Sequence, residues 1–249
     1  MINLITNKKI TIDGYQLTIK MQPHAKIYLG SERGCTQDEW YRGYHTFNFG
    51  SYYNPNKKAD GSLQVVNDNT LKGGSTLTIH SKEEMWILLL PIVGALKYKN
   101  SVLSGRLEVG QSCLVYSPKD GKLEISNPYE NELINFLEVR LKLNSGQQSN
   151  RQLEAEFDLD SNKNKLISLF PNKQSSGKPP LSLIGKFEGR KEGVYKLKDS
   201  KKGIFIFVIE GAFEVQNRLL QLRDGLVLKN IEEIEFEALS KDAVILLVE

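Results

Sequence analysis

Residues 73–101, GGSTLTIHSKEEMWILLLPIVGALKYKNS, decide how the chain folds. They begin with a glycine turn, contain His80 and a charged cluster, and continue into a strongly apolar run through Pro91. Gly94 then separates this run from a second alternating one. Apolar runs of this length, bounded by glycines, are typical of β-strands. The stretch therefore predicts a strand–turn–strand unit.

The same unit recurs in the second half of the chain. Residues 92–100, IVGALKYKN, align with residues 209–217, IEGAFEVQN, at an offset of 117 residues (209 minus 92). The isoleucine, glycine, alanine and asparagine positions are identical, and the apolar alternation agrees throughout. An offset near half of the 249 residues predicts two copies of one β unit.

Short strands separated by turn residues are predicted along most of the chain. Asp13 and Gly14 separate two alternating runs near the start, and Asp-Gly is a strong hairpin signal. The polar run Asn67-Asp68-Asn69 is interpreted as another turn. The predicted strands cover residues 9–12, 15–19, 26–29, 63–66, 75–79, 86–93, 95–99, 112–116, 122–126, 133–143, 181–187, 193–197, 203–209, 212–215, 225–228, 234–236 and 243–248.

The remaining segments complete the predicted architecture. Residues 157–170 predict a short helix with its leucines facing inward, and residues 144–152 and 171–180 are polar and predict linkers. Strands at this spacing, without amphipathic helices between them, predict an all-β chain with two jelly-roll or barrel domains. We place the first domain at residues 1–145 and the second at residues 146–249.

The composition indicates a soluble, cytoplasmic protein. Its 33 basic and 30 acidic residues give a net charge of +3, which is too balanced to indicate a nucleic-acid or membrane partner. The start of the chain lacks the zones of a signal peptide, and the longest apolar run, residues 85–93, is too short for a membrane span. Cys35 and Cys113 lack metal-type spacing and are expected to be reduced thiols.

A polar tract at residues 31–55 is rich in aromatic residues, and we expect these side chains, Trp40 and His45 among them, to belong to or cover a core. Several motifs, in this tract and after it, together resemble the pirin family of the cupin superfamily. Cupin domains are jelly rolls, and pirins contain two of them, which makes them bicupins. The motifs are ERG at 32–34, HTFNF at 45–49, NP at 54–55, GSLQVVNDN at 61–69 and MWILLLPIVGAL at 85–96.

The resemblance implies a metal site in the first domain. Pirins hold an iron-type metal through three histidines and one glutamate; some open the flavonol quercetin by dioxygenation, and the human relative is described as a nuclear transcriptional cofactor. Imidazole and carboxylate ligands suit Fe(II). Aligned without gaps back from Pro91 and Gly94, the first two ligand positions fall on His80 and Lys82. Matching the loop before the second step to residues 117–121 places the third histidine on Glu124 and the glutamate on Ser126. An alternative register for the first step, with one gap, places Thr78 first and His80 second and restores no second histidine.

The implied ligand set is therefore incomplete. The whole chain contains three histidines, and a lysine ammonium at the second ligand position would repel a divalent cation. We hypothesise that Lys82 points inward and forms an ion pair with Glu124. No cofactor is expected; the alternative is Fe(II) or another divalent metal bound by His80 and Glu124. We define a remnant pocket by His80, Lys82, Trp86, Tyr98, Glu124 and Ser126.

These residues favour a non-catalytic protein, with no catalytic residue assigned, that binds a small ligand in the remnant pocket or a protein partner on its surface. One alternative is a metal-dependent dioxygenase resembling quercetin 2,3-dioxygenase. Another is metal-free catalysis by Lys82 with His80 and Glu124, because a buried lysine can have a lowered pKa. GxSxG, HExxH and P-loop motifs are missing. The second repeat contains no histidine and is expected to be structural.

Overall fold

A computed structural model describes residues 6–12, 15–21, 24–59, 61–143, 152–170, 181–199 and 203–249, with side chains from residue 24 onward. The described residues form β-strands and one three-residue 3-10 helix, Gly30–Glu32. The strands are β1 Thr6–Ile12, β2 Tyr15–Met21, β3 His24–Tyr28, β4 Gly34–Gln37, β5 Tyr41–His45, β6 Leu63–Leu71, β7 Thr76–His80, β8 Met85–Val93, β9 Ala95–Lys99, β10 Ser104–Glu108, β11 Gln111–Ser117, β12 Lys122–Ser126, β13 Ile134–Lys142, β14 Gln152–Glu156, β15 Ile167–Ser168, β16 Ser182–Phe187, β17 Glu192–Lys196, β18 Ile204–Glu210, β19 Phe213–Val215, β20 Arg218–Leu220, β21 Gly225–Lys229, β22 Glu233–Ala238 and β23 Ala243–Val248.

The chain forms two compact units. The first unit consists of Glu32–Asp158 and Leu169–Pro180, and the second consists of Met1–Ser31, Leu159–Ser168 and Leu181–Glu249. Strand β3 pairs with β21, so a strand from the beginning of the chain completes a sheet of the second unit. The predicted boundary between residues 145 and 146 lies outside the described residues.

Each unit contains one large and one four-stranded sheet, and the second unit also contains the two-stranded sheet β1-β2. In the first unit the strand orders are β14-β11-β8-β13-β6-β5-β4 and β10-β9-β12-β7. In the second unit they are β15-β16-β23-β18-β21-β3 and β17-β22-β19-β20. Both sheets of a unit contribute side chains to one apolar core, as in a jelly roll. The predicted all-β fold with two jelly rolls is therefore confirmed.

The structure also confirms the internal repeat. Gly94 directly follows β8 and Gly211 directly follows β18, and both have a φ of 74°. Glycine adopts this conformation without steric cost. Just before each glycine one residue is left out of the strand register, Ile92 in β8 and Ile209 in β18. An extra residue of this kind is a β-bulge, which bends the strand and increases its twist. The two bulges lie 117 residues apart, at the predicted offset.

Three sequence interpretations were wrong. The run Asn67-Asp68-Asn69 is not a turn, because β6 continues through it to Leu71. Residues 157–170 form turns and the short strand β15 rather than a helix. A φ of 62° at Asn164, whose side chain bonds the Glu188 backbone N–H at 2.9 Å, is incompatible with a helix there. Trp40 is 37% exposed and does not belong to the core.

Three further findings concern the first hairpin, the two cysteines and membrane-spanning helices. The hairpin of β1 and β2 is confirmed by its antiparallel pairing, while its turn residues lie outside the described ranges. Cys35 and Cys113 are both free thiols, and burial raises the pKa of Cys113 to about 12. Within the described ranges we find no helix long and apolar enough to cross a membrane.

The glycine turn of each repeat gives a stability test. In Gly211→Ala the new methyl group would collide with Ser240 Oγ in addition to adopting a strained φ. We expect a loss of roughly 2–4 kcal/mol in the free energy of unfolding, measured by urea denaturation. Gly74→Ala is the matched control, because its φ is 70° but no atom lies within 4 Å of the added Cβ. Gly74→Ala should lose about 1 kcal/mol in the free energy of unfolding. Equal losses in the two variants would contradict the predicted collision with Ser240.

Candidate functional site

Strands β7 and β12 carry the positions that the resemblance matches to metal ligands. Side chains alternate between the two faces of a strand, and on these strands the residues directed into the core are aliphatic. Ile79, Leu123 and Ile125 are buried in the core of the first unit, and Leu77 packs against it. The interior positions of the two strands therefore provide no metal-binding atom.

The four matched residues lie away from that core. His80 and Lys82 are exposed, and Glu124 and Ser126 are partly exposed. Glu124 forms an ion pair with Lys122 at 2.6 Å, and the hydrogen bond from Lys122 lowers the pKa of Glu124. Lys122 lies two residues away on the same face of the same strand, which makes it the nearest cation. The hypothesised Lys82–Glu124 ion pair and the inward orientation of Lys82 were therefore wrong.

Trp86 and Tyr98, the aromatic members of the remnant pocket, are both buried. Trp86 packs edge-to-face on Tyr116, with 5.9 Å between ring centroids. The Tyr98 side chain belongs to the core of the first unit, and its hydroxyl bonds the side chain of Glu154 on the edge strand of the large sheet. Burial and this hydrogen bond raise the pKa of Tyr98. Gly105 lies directly across from Tyr98 and leaves room for its ring.

A groove on the four-stranded sheet of the first unit is lined by some residues of the remnant pocket. Its volume is about 370 Å³. It brings together Tyr98, Glu124 and Ser126, whereas His80, Lys82 and Trp86 do not line it. The lining residues are Thr76, Lys97, Tyr98, Lys99, Ser104, Gly105, Arg106, Glu124 and Ser126.

The structure also shows a buried polar network that the sequence interpretation missed. Glu138, only 1% exposed, forms an ion pair with Arg140 on the interior face of β13. Its Oε2 atom accepts hydrogen bonds from the side-chain amides of Asn67, at 3.3 Å, and Asn69, at 3.1 Å. Tyr41 donates to Asn69 Oδ1 at 2.9 Å. These contacts satisfy a carboxylate that would otherwise be costly to bury.

His45 extends this network. Asn67 donates its amide to Glu138, so its Oδ1 atom accepts from His45 Nδ1 at 2.8 Å. His45 Nε2 then accepts from the Thr36 hydroxyl at 3.0 Å. The ring is fully buried and stacks on Phe49, with 4.7 Å between centroids. Desolvation lowers the pKa of His45, which fits the neutral tautomer that these partners require.

Comparison with known proteins agrees with this architecture. Residues 182–249 match the family described as the quercetinase C-terminal cupin domain. The chain is 22% identical to a quercetin 2,3-dioxygenase of Escherichia coli O157:H7 over 229 residues, which cover 88% of this chain and 97% of that protein. The crystal structure of YhhW from Escherichia coli has a TM-score of 0.78 at 18% identity, covering 90% of this chain and 97% of that one. The chain is pirin-like in its cupin fold.

Two further solved structures resemble this pirin-like cupin in fold. The bacterial pirin YhhW has been solved in complex with nickel(II), with a TM-score of 0.75, 18% identity and coverage of 90% of this chain and 98% of that one. A quercetin 2,3-dioxygenase from Acinetobacter baumannii has a TM-score of 0.66 at 12% identity, covering 90% of this chain and 85% of that one. These likenesses concern the fold.

The side chains of this pirin-like cupin do not fit a metal of the kind that YhhW binds. Among the described residues no group of three or more His, Cys, Asp or Glu side chains is arranged to hold a metal ion. Two buried side chains of these types, His45 and Glu138, use their side-chain nitrogen and oxygen atoms in the polar network.

The buried ion pair gives a second stability test. Glu138→Gln leaves the Arg140 guanidinium without its buried counter-charge, and we expect a loss of about 3–5 kcal/mol in the free energy of unfolding. Glu124→Gln removes a carboxylate from a solvent-exposed pair and should change stability little. Chemical denaturation of both variants measures the difference. Similar small losses in both would contradict the importance of the network.

His45 gives a pH test. Its folded-state pKa is lowered, whereas the unfolded value is about 6.5. The neutral ring therefore stabilises the fold fully above about pH 6.5, and this contribution is lost as the pH falls through the lowered pKa. The free energy of unfolding should decrease from pH 7 to pH 5 more steeply in the native protein than in His45→Gln. Parallel curves for the two proteins would refute this assignment.

Proposed function

We propose that this pirin-like cupin is a non-catalytic protein that binds a small ligand, and that its first unit has lost the metal-binding set of pirins. The observation that carries the proposal is the orientation of β7 and β12. Ile79, Leu123 and Ile125 occupy the core-facing positions, while His80 and Glu124 lie on the opposite face. A metal held in the interior would meet hydrocarbon on both strands.

The three histidines support the same proposal. His24 is exposed and belongs to a strand of the second unit. His45 has both ring nitrogens in hydrogen bonds. His80 is exposed, with the cation Lys122 directly opposite on β12. A non-haem iron site needs several imidazole and carboxylate ligands directed at one point, whereas in the first unit His45 is bonded to Asn67 and Thr36 and His80 faces a cation.

A metal-dependent dioxygenase is the second candidate. One observation favours it: relatives named quercetin 2,3-dioxygenase align over 88% of this chain. Such an enzyme would need Fe(II) or another divalent metal bound by His80 and Glu124 on the outer face. The ion pair of Glu124 with Lys122 opposes that role. Metal-free catalysis by Lys82 gains no support, because Lys82 is exposed and lies outside the groove lining.

Metal loading separates the two candidates. The purified protein, incubated with Fe(II) or Ni(II) and desalted, should retain far less than one metal ion per chain and show no oxygen uptake with quercetin. The nickel-binding bacterial pirin YhhW is the positive control for loading. Lys82→His should not restore binding, because position 82 is directed away from the core. Stoichiometric metal, or oxygen uptake in the native protein, would overturn the proposal.

A further inference from the structure

We infer that the groove on the four-stranded sheet of the first unit binds a small molecule through a phosphate monoester group. This inference rests on the proposed function, since it names the ligand class of a non-catalytic binding protein. It concerns the outer surface of the sheet formed by β10, β9, β12 and β7.

Strand register places two rows of polar side chains across the groove. In the first row Arg106 lies opposite Lys97, Lys97 opposite Ser126, and Ser126 opposite Thr76. In the second row Ser104 lies opposite Lys99, and Lys99 opposite Glu124. Directly opposed residues on neighbouring strands have Cβ atoms roughly 4.5–5.5 Å apart. The groove therefore presents cations and hydroxyl groups at spacings that one small oxyanion can bridge.

The first row places two like charges side by side. Arg106 and Lys97 are directly opposed cations on neighbouring strands, and the one ion-pair partner of Arg106 in the described structure, Glu108 at 3.1 Å, lies outside the row. Like charges directly opposite one another destabilise a sheet. An anion placed between the two side chains would turn this repulsion into attraction. The Arg106 guanidinium also offers the fork of N–H donors that matches phosphate oxygens.

The charge of the groove suits a dianion. Its lining contains three cations, Lys97, Lys99 and Arg106, and one carboxylate, Glu124, which gives a net charge of +2. The ion-pair partners just outside the lining, Lys122 and Glu108, carry opposite charges and cancel. A phosphate monoester carries a charge of about −1.5 to −2 at pH 7, whereas a carboxylate carries −1. The match favours phosphate.

The shape of the groove allows a ligand larger than phosphate alone. Its volume of about 370 Å³ lies in the range of small-molecule sites. The hydroxyl groups of Thr76, Ser104 and Ser126 supply hydrogen-bond partners for phosphate oxygens or for the organic part.

The test uses phenyl phosphate as the probe, with benzoate and phenol as monoanionic and neutral comparisons. In NMR titrations of the full chain, phenyl phosphate should shift backbone amide signals of β9, β10 and β12, more weakly as NaCl is added. Benzoate should bind more weakly, and phenol should not shift these signals. An absence of shifts with phenyl phosphate, or tighter binding of benzoate, would overturn the inference.

Variants locate the site. Lys97→Ala and Arg106→Ala should each weaken phenyl phosphate binding at least tenfold. Lys119→Ala is the matched control, since it removes the same charge from an exposed position outside the groove and should leave affinity unchanged. Equal affinities for all three variants would refute the site. Failure here with little bound metal would leave the non-catalytic proposal standing, whereas stoichiometric metal would refute that proposal independently of the groove.

Discussion

The two-residue alternation of side chains along β7 and β12 decides what the first unit can hold. Ile79, Leu123 and Ile125 take the core-facing positions, which forces His80 and Glu124 onto the other face. A register shift of one residue would exchange the faces, but it would expose aliphatic side chains whose burial contributes about 1.5–3 kcal/mol each. The apolar core therefore fixes the register, and the register keeps the matched ligand positions outside.

The other part of the interior of the first unit is a polar, hydrogen-bonded network. Glu138 accepts hydrogen bonds from Asn67 and Asn69 and a charge-assisted hydrogen bond from Arg140. His45 joins the network through Asn67. Two of the motifs that carry the pirin resemblance, HTFNF and VVNDN, are therefore parts of one buried structure. The fold of the first unit uses these motifs independently of any metal.

The sequence was sufficient for most of the fold and for little of the site. Strand alternation and the glycine turns predicted the main strands and the repeat, because both signals are local. Asn67-Asp68-Asn69 looked like a turn because its stabilising partner, Glu138, is far away in the chain. Counting alternate residues from His80 suggested an inward Lys82, but Lys82 lies beyond the end of β7, and both residues are exposed. Which face is buried depends on the facing sheet, which local patterns do not specify.

We propose that the interior of the first unit holds aliphatic side chains and a buried ion pair in place of a metal centre. Anomalous X-ray scattering from crystals of the protein soaked with Ni(II) tests this proposal. No anomalous peak is expected in the first unit between β7, β12 and the large sheet. A nickel peak there, bound by inward-facing His80 and Glu124, would contradict it.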